Sequence, residues 1–223
     1  RRFAWAAEVE VEAEAVEWLW PDRVPRSALT VLVGDPGLGK SILTCELAAR
    51  VSRGQAIPPG THSAEPATVL MLTAEDSPGA VVRPRLEQAG ADLGRIALDL
   101  GGDEEPLTLP SGMAPLEAWV QEHRPALIVL DPVVAFLGAE ISAHKDADVR
   151  RALRPLADLA ARAGAAVVVV MHFNKAQGAQ PLYRLNGSIG FAGAARSVLV
   201  FGRTPEADDT DPARIVAVAK SSY

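Results

Sequence analysis

The segment Gly34-Asp35-Pro36-Gly37-Leu38-Gly39-Lys40-Ser41 sets glycines, a lysine and a hydroxyl in the spacing G-x-x-x-x-G-K-[ST]. Glycines let the backbone curl so that successive N–H groups converge on phosphate oxygens, and a helix opening directly behind them adds the positive end of its dipole. Lys40 is then expected to reach the β- and γ-phosphates, with Ser41 Oγ a ligand of Mg²⁺ and Gly34 through Ile42 the phosphate-binding set. The chemistry this implies is capture of a magnesium-bound nucleoside triphosphate, ATP in the first instance.

A metal held in that way needs a second, acidic partner. Asp131 ends the apolar run Ala126-Leu127-Ile128-Val129-Leu130, and no other hydrophobic strand-like run ends in Asp, so it is expected to hold Mg²⁺ through a water. Hydrolysis further requires a group that orients and deprotonates the attacking water. Glu75, just past Val69-Leu70-Met71-Leu72-Thr73, is the candidate and Asp76 its rival. His172 ends the run Val167-Val168-Val169-Val170-Met171, where an imidazole can donate to the terminal phosphate or the lytic water and sense its loss.

These side chains can cooperate only if the strands carrying them end at one edge of a sheet. Short β-branched runs at 29–33, 68–73, 127–131, 166–171, 198–201 and 215–219 alternate with stretches of helical apolar spacing at 41–53, 79–89, 114–123 and 146–163. That alternation predicts an α/β fold of βαβ units, a mostly parallel sheet covered by helices on both faces. Segments 54–66 and 100–112, rich in Pro, Gly and Ser, read as surface loops, whereas 138–148 and 174–190 follow strand ends on the expected active edge. Residues 1–26 form a lead-in, whose alternating Glu8, Glu10, Glu12 and Glu14 suggest a solvated strand or helix face.

The 223 residues suit a single domain, and 48% hydrophobic with 22% charged residues is a globular composition. A net charge of -6 leaves no broad electropositive face, so any nucleic-acid contact must be local. The single cysteine, Cys45, cannot form an internal disulfide, and no apolar run approaches the roughly 20 residues needed to span a bilayer, so a cytoplasmic location is expected. A start without Met and an abrupt end at Tyr223 read as a piece of a longer protein.

The ordered set of motifs narrows the choice. Glu17-Trp18-Leu19-Trp20-Pro21-Asp22-Arg23-Val24-Pro25, the glycine-rich loop, Leu72-Thr73-Ala74-Glu75-Asp76, Leu127 to Pro132, Val170 to Lys175 and Gly187 to Arg196 follow one another along the chain. Together they resemble the RecA-like hexameric P-loop ATPases, and within them the plasmid replication helicase RepA and the ATPase domains fused to phage-type primases. The resemblance runs from about Trp18 to Tyr223. It implies a RecA-like fold in which the glycine-loop strand neighbours the His172 strand, Glu75 as catalytic carboxylate, Asp131 as the Walker B residue, and His172 as the link between nucleotide state and a DNA-contacting loop.

It also implies a ring, a hexamer, in which Arg196 enters the neighbouring subunit's site and Lys220 is presented across the same interface. Arg203 competes with Arg196 for the finger role. A cation supplied in this way stabilises charge developing on the γ-phosphate. Single-stranded DNA would be met by His144 and Lys145 in one loop and by Lys175, Tyr183 and Arg184 in the other, and a primase or replication-initiation protein is the implied partner. A GTPase of the N-K-x-D type is excluded because Gln177 stands where Asp is needed after Asn174-Lys175, and no arginine cluster suggests a kinase lid. The main rival is a non-motor RecA-like ATPase that regulates or assembles a protein partner; a binding-only scaffold fits poorly with intact Lys40, Ser41, Glu75 and Asp131.

Overall fold

The computed structural model describes residues 15–60, 64–101, 107–173, 190–204 and 212–223. The glutamates at positions 8 to 14 and the proposed DNA-loop residues Lys175, Tyr183 and Arg184 lie outside them. The chain opens with a small antiparallel pair, β1 (Trp18–Trp20) and β2 (Val24–Pro25). Then come β3 (Ala28–Gly34), α1 (Lys40–Ser52) and β4 (Val69–Thr73). A π-turn over Pro78–Val82 leads into α2 (Arg83–Gln88), followed by β5 (Ile96–Leu98), α3 (Ala114–His123) and β6 (Leu127–Asp131). The remainder is α4 (Asp146–Ala163), β7 (Ala166–His172), α5 (Gly190–Ala194), β8 (Ser197–Gly202) and β9 (Ile215–Ser221).

Seven strands form one sheet in the order β5-β4-β6-β7-β3-β8-β9, parallel except for β9. The glycine-loop strand β3 lies between β7 and β8, in register with Gly34 opposite His172. This is the expected α/β fold with the expected neighbour. Its near-continuous Val and Leu strands are explained by cover on both faces. Leu29, Val31, Val33, Val167, Val169 and Met171 face α3, α4 and α5, whereas Leu32, Val168 and Val170 face α1, α2 and the β1–β2 pair.

Helix α4 shows how the pattern makes the packing. Val149, Ala152, Leu153, Leu156, Leu159 and Ala160 recur at helical spacing and are buried, and Gly164 at φ 68 terminates the helix in the left-handed conformation. Truncating fully buried Leu153 to Ala would cost roughly 2–5 kcal/mol.

Two sequence expectations change. The 54–66 and 100–112 connections contain anchored residues: Trp20 Nε1 donates to Pro58 O at 2.7 Å, and Leu109 is wholly buried, its N–H bonded to Phe136 O. The helix expected over 79–89 begins as the π-turn because Ser77 caps it and prolines occupy its early positions. No helix among the described residues is long and apolar enough to cross a membrane.

Candidate active site

Strand order and register bring the chemistry to one edge. Thr73 pairs with Asp131 and Gly34 with His172, so Glu75, Asp131, His172 and the glycine loop lie side by side beyond the carboxyl ends of β4, β6, β7 and β3. Open α/β sheets bind ligands in that crevice. The loop has its shape because Gly37 and Gly39 adopt φ of 75 and 99, values that strain any other L-residue. Gly34 is required for another reason: a Cβ there would stand 2.2 Å from the Phe201 carbonyl oxygen on β8.

Lys40 is 4% exposed, and its Nζ donates to Gly34 O and Asp35 O, both at 2.9 Å, and to His172 Nδ1 at 3.0 Å. An ammonium has no lone pair to offer, so Nδ1 must accept and the neutral ring carries its proton on Nε2. That nitrogen faces Glu75 Oε2 at 4.0 Å. A line of polar groups therefore runs Lys40, His172, Glu75 across the sheet edge. Burial pushes the Lys40 ammonium below its usual range, opposed by the charges of Asp131, Asp35 and Glu75.

Asp131 is 9% exposed, and burial pushes its carboxyl above the usual range. The nearby Ser41 hydroxyl works against that shift, Asp76 reinforces it, and Lys40 and His172 again oppose it. A buried carboxylate beside a hydroxyl is a donor pair that fits a hard, oxygen-seeking divalent cation. Among the described residues there is no cluster of three or more His, Cys, Asp or Glu suited to a metal, so an ion at Ser41 and Asp131 would draw most of its ligands from water and substrate phosphates. That is the coordination Mg²⁺ favours in phosphate-binding loops.

The geometry separates the two candidate bases. Asp76 Oδ2 is 2.5 Å from Arg85 Nη1, and its carboxylate is thereby occupied. Glu75, with 66% of its side chain exposed, faces only His172 among the described ion pairs and borders a groove of about 770 Å³ whose far wall includes Leu98, Leu116 and Trp119. The Cys45 thiol, buried in α1, is pushed up to about 11 by that burial and is not a nucleophile at neutral pH.

The proposed trans residues lie at the other end of the sheet. Arg196 is exposed and immediately precedes β8; its N–H donates to Leu29 O, near the start of β3. Lys220, expected to project across an interface, turns inward instead, donating to Ala192 O at 2.6 Å and Ala195 O at 2.7 Å. Burial and then the charges of Arg196 and Arg150 push its ammonium below the usual range. It thus satisfies the last carbonyls of α5. Arg203 follows the carboxyl end of β8, on the glycine-loop edge. His144 and Lys145 are exposed in the turn that leads into α4. Sequence reasoning gave no role to Arg150, whose position beside α5 depends on tertiary packing.

Compared with known protein families, residues 1–178 match the AAA domain, a P-loop ATPase family. No curated protein matches the chain. The family match takes in β1 to β7, and hence Lys40, Ser41, Glu75, Asp131 and His172, and stops before α5, Arg196 and Lys220.

Proposed function

The chain belongs to the AAA domain family of P-loop ATPases, and from that premise we propose that it hydrolyses Mg²⁺-ATP within a homo-oligomeric, RecA-like ring that acts on single-stranded DNA. The observation that carries the hydrolytic part is the chain Lys40 to His172 to Glu75 at one sheet edge, with Ser41 and Asp131 beside it. Ser41 and Asp131 would hold magnesium, which would supply charge neutralisation on the phosphate oxygens. Lys40 binds the β- and γ-phosphates. Glu75 orients the attacking water and takes its proton, its exposed carboxylate leaving room for that water. His172, with its proton on Nε2, donates toward the group that Glu75 holds and senses whether the terminal phosphate is present. Arg196 completes the site of a neighbouring subunit, where a guanidinium stabilises charge on the transferred phosphoryl group.

DNA action rests on exposed His144 and Lys145 and on the resemblance to ring helicases. The acidic net charge of -6 favours a second reading, a non-motor ATPase whose cycle controls a protein partner. The deciding experiment is ATP turnover by the full chain across a protein concentration series, with and without single-stranded DNA. The motor reading expects a concentration threshold and stimulation by DNA at low salt. A threshold with no DNA effect selects the regulatory ATPase, and no turnover at any concentration overturns both.

A further inference from the structure

Three cations meet at the turn that joins α5 to β8. Lys220 reaches back from β9 to the carbonyls of Ala192 and Ala195, and Arg196 is the next residue along. From α4, Arg150 lays its guanidinium across α5: a Cβ on Gly193 would stand 2.6 Å from Arg150 Nη2 and 3.0 Å from Cζ. The seat for that guanidinium exists because position 193 has no side chain. On the same helix Arg151, Arg154 and Arg162 are each paired, with Asp148, Asp158 and Glu117. The guanidiniums of Arg150 and Arg196 are both exposed and pair with no carboxylate among the described residues. Asp146 Oδ1 instead accepts from Gly190 N at the other end of α5.

Like charges gathered without a paired carboxylate among the described residues repel, and after burial, the larger cause, the charges of Arg196 and Arg150 push the Lys220 ammonium down. Such a cluster of exposed cations attracts an anion. Two guanidiniums that both act on Lys220 offer the forked donors that match one phosphate group, rather than the long basic stripe that follows a nucleic-acid backbone. That phosphate cannot be the chain's own. Arg196 bonds to Leu29 near the start of β3, whereas Lys40 lies past its end at Gly34, about 17 Å away at roughly 3.3 Å per strand residue.

We propose that Arg150 and Arg196 together clamp the terminal phosphate of a nucleotide bound to a second copy of this chain, with Lys220 holding α5 in place beneath them. The proposal rests on the ring-ATPase reading and changes it in one respect: Arg150, not Lys220, is the second cation delivered across the interface. The contact is heterologous, one subunit's α5 edge against the next subunit's glycine-loop edge, as a closed ring requires.

The test is complementation between defective full chains. Arg150→Ala alone should lose at least about tenfold in turnover at ring-forming concentration while binding ATP at its own Lys40 site as the parent does. Arg150→Lys should recover only part of the loss, because a point charge replaces a fork. Lys40→Ala alone should be inactive. Mixed in equal amounts, Arg150→Ala and Lys40→Ala should regain about a quarter of parental turnover, since half the subunits keep an intact glycine loop and half of their neighbours keep an intact clamp. Gly193→Val, which displaces the guanidinium, should reproduce the Arg150→Ala loss, and the double variant should be no worse than either. Parental activity in Arg150→Ala overturns the clamp, as does a mixture no more active than Arg150→Ala contributes alone. Unchanged turnover with weaker single-stranded DNA binding and a salt slope shallower by about one assigns Arg150 to nucleic-acid phosphate instead and equally overturns it. A parent without ATP turnover sinks the ring-ATPase reading and the clamp together, whereas an active parent beside an unaffected Arg150→Ala sinks the clamp alone.

Discussion

At the carboxyl ends of β4, β6, β7 and β3, Lys40 is 4% exposed, bonded to two carbonyls and an imidazole, with Asp131, Asp35 and Glu75 close enough to favour its charge. At the start of β8, Arg196 and Arg150 stand exposed around Lys220 with no carboxylate paired to them among the described residues. Both regions gather positive charge, but only the first balances it internally. The difference teaches where charge is answered within the chain: the glycine-loop edge meets its lysine with its own carboxylates, whereas the α5 edge leaves two guanidiniums to solvent or, in the proposed ring, to a neighbour.

Substitutions can break that contrast, beginning with the largest effect. Lys40→Ala should abolish turnover and weaken nucleotide binding in calorimetry at any protein concentration, because the glycine-loop edge acts within one chain. Arg196→Ala should lower turnover by up to about a thousandfold above the assembly threshold and change nothing in nucleotide affinity below it; equal rates for variant and parent rings would erase the distinction between the two edges. Glu75→Gln should lower the rate by roughly 10²- to 10⁴-fold while equilibrium binding of ATP persists, and normal turnover would remove Glu75 as the base.

Smaller effects sharpen the electrostatic side. Burial raises the Asp131 carboxyl above its unfolded value, so its ionised form at neutral pH opposes folding, and stability attributable to it falls as pH rises through the carboxylate range. Asp131→Asn should therefore raise the melting temperature at pH 7 while Mg²⁺-dependent turnover is lost. An unchanged or lower melting temperature would contradict that sign. Smallest of all, Asp76→Asn removes a half-exposed ion pair with Arg85 and should cost about 0.2–1 kcal/mol in denaturant melts, with turnover within about twofold of the parent.

What the sequence discloses follows the same divide. The glycine loop, the strand ending in Asp131 and the run ending in His172 are local patterns, and a strand run with its terminal polar residue is readable wherever it sits. Glu75 over Asp76 was not decidable that way, because the choice turns on Arg85, nine residues on, which occupies one of the two. Strand β5 is not legible in the sequence, since Ile96-Ala97-Leu98 is too short and too half-buried to show a period. Arg150 looks like any charge on the outer face of an amphipathic helix until α5 is packed against it. Lys220 directly follows the run at 215–219, yet the inward turn of its ammonium depends on the carbonyls of Ala192 and Ala195, more than twenty residues upstream.

Strand β9 forms one border of the sheet, and its outer row of main-chain donors and acceptors meets no further strand among the described residues. From Ile215 to Ser221 it carries aliphatic residues with a single charge, Lys220, and that charge is spent on α5. Sheet borders usually keep strangers away with an outward lysine, a proline or a twist. Among the described residues this one has only the register break that leaves Ala219 unpaired, so Ile215 to Val218 should tend to zip onto other polypeptides and the purified chain cloud on standing, and a lysine placed at Val218, which is 43% exposed, should keep it clear.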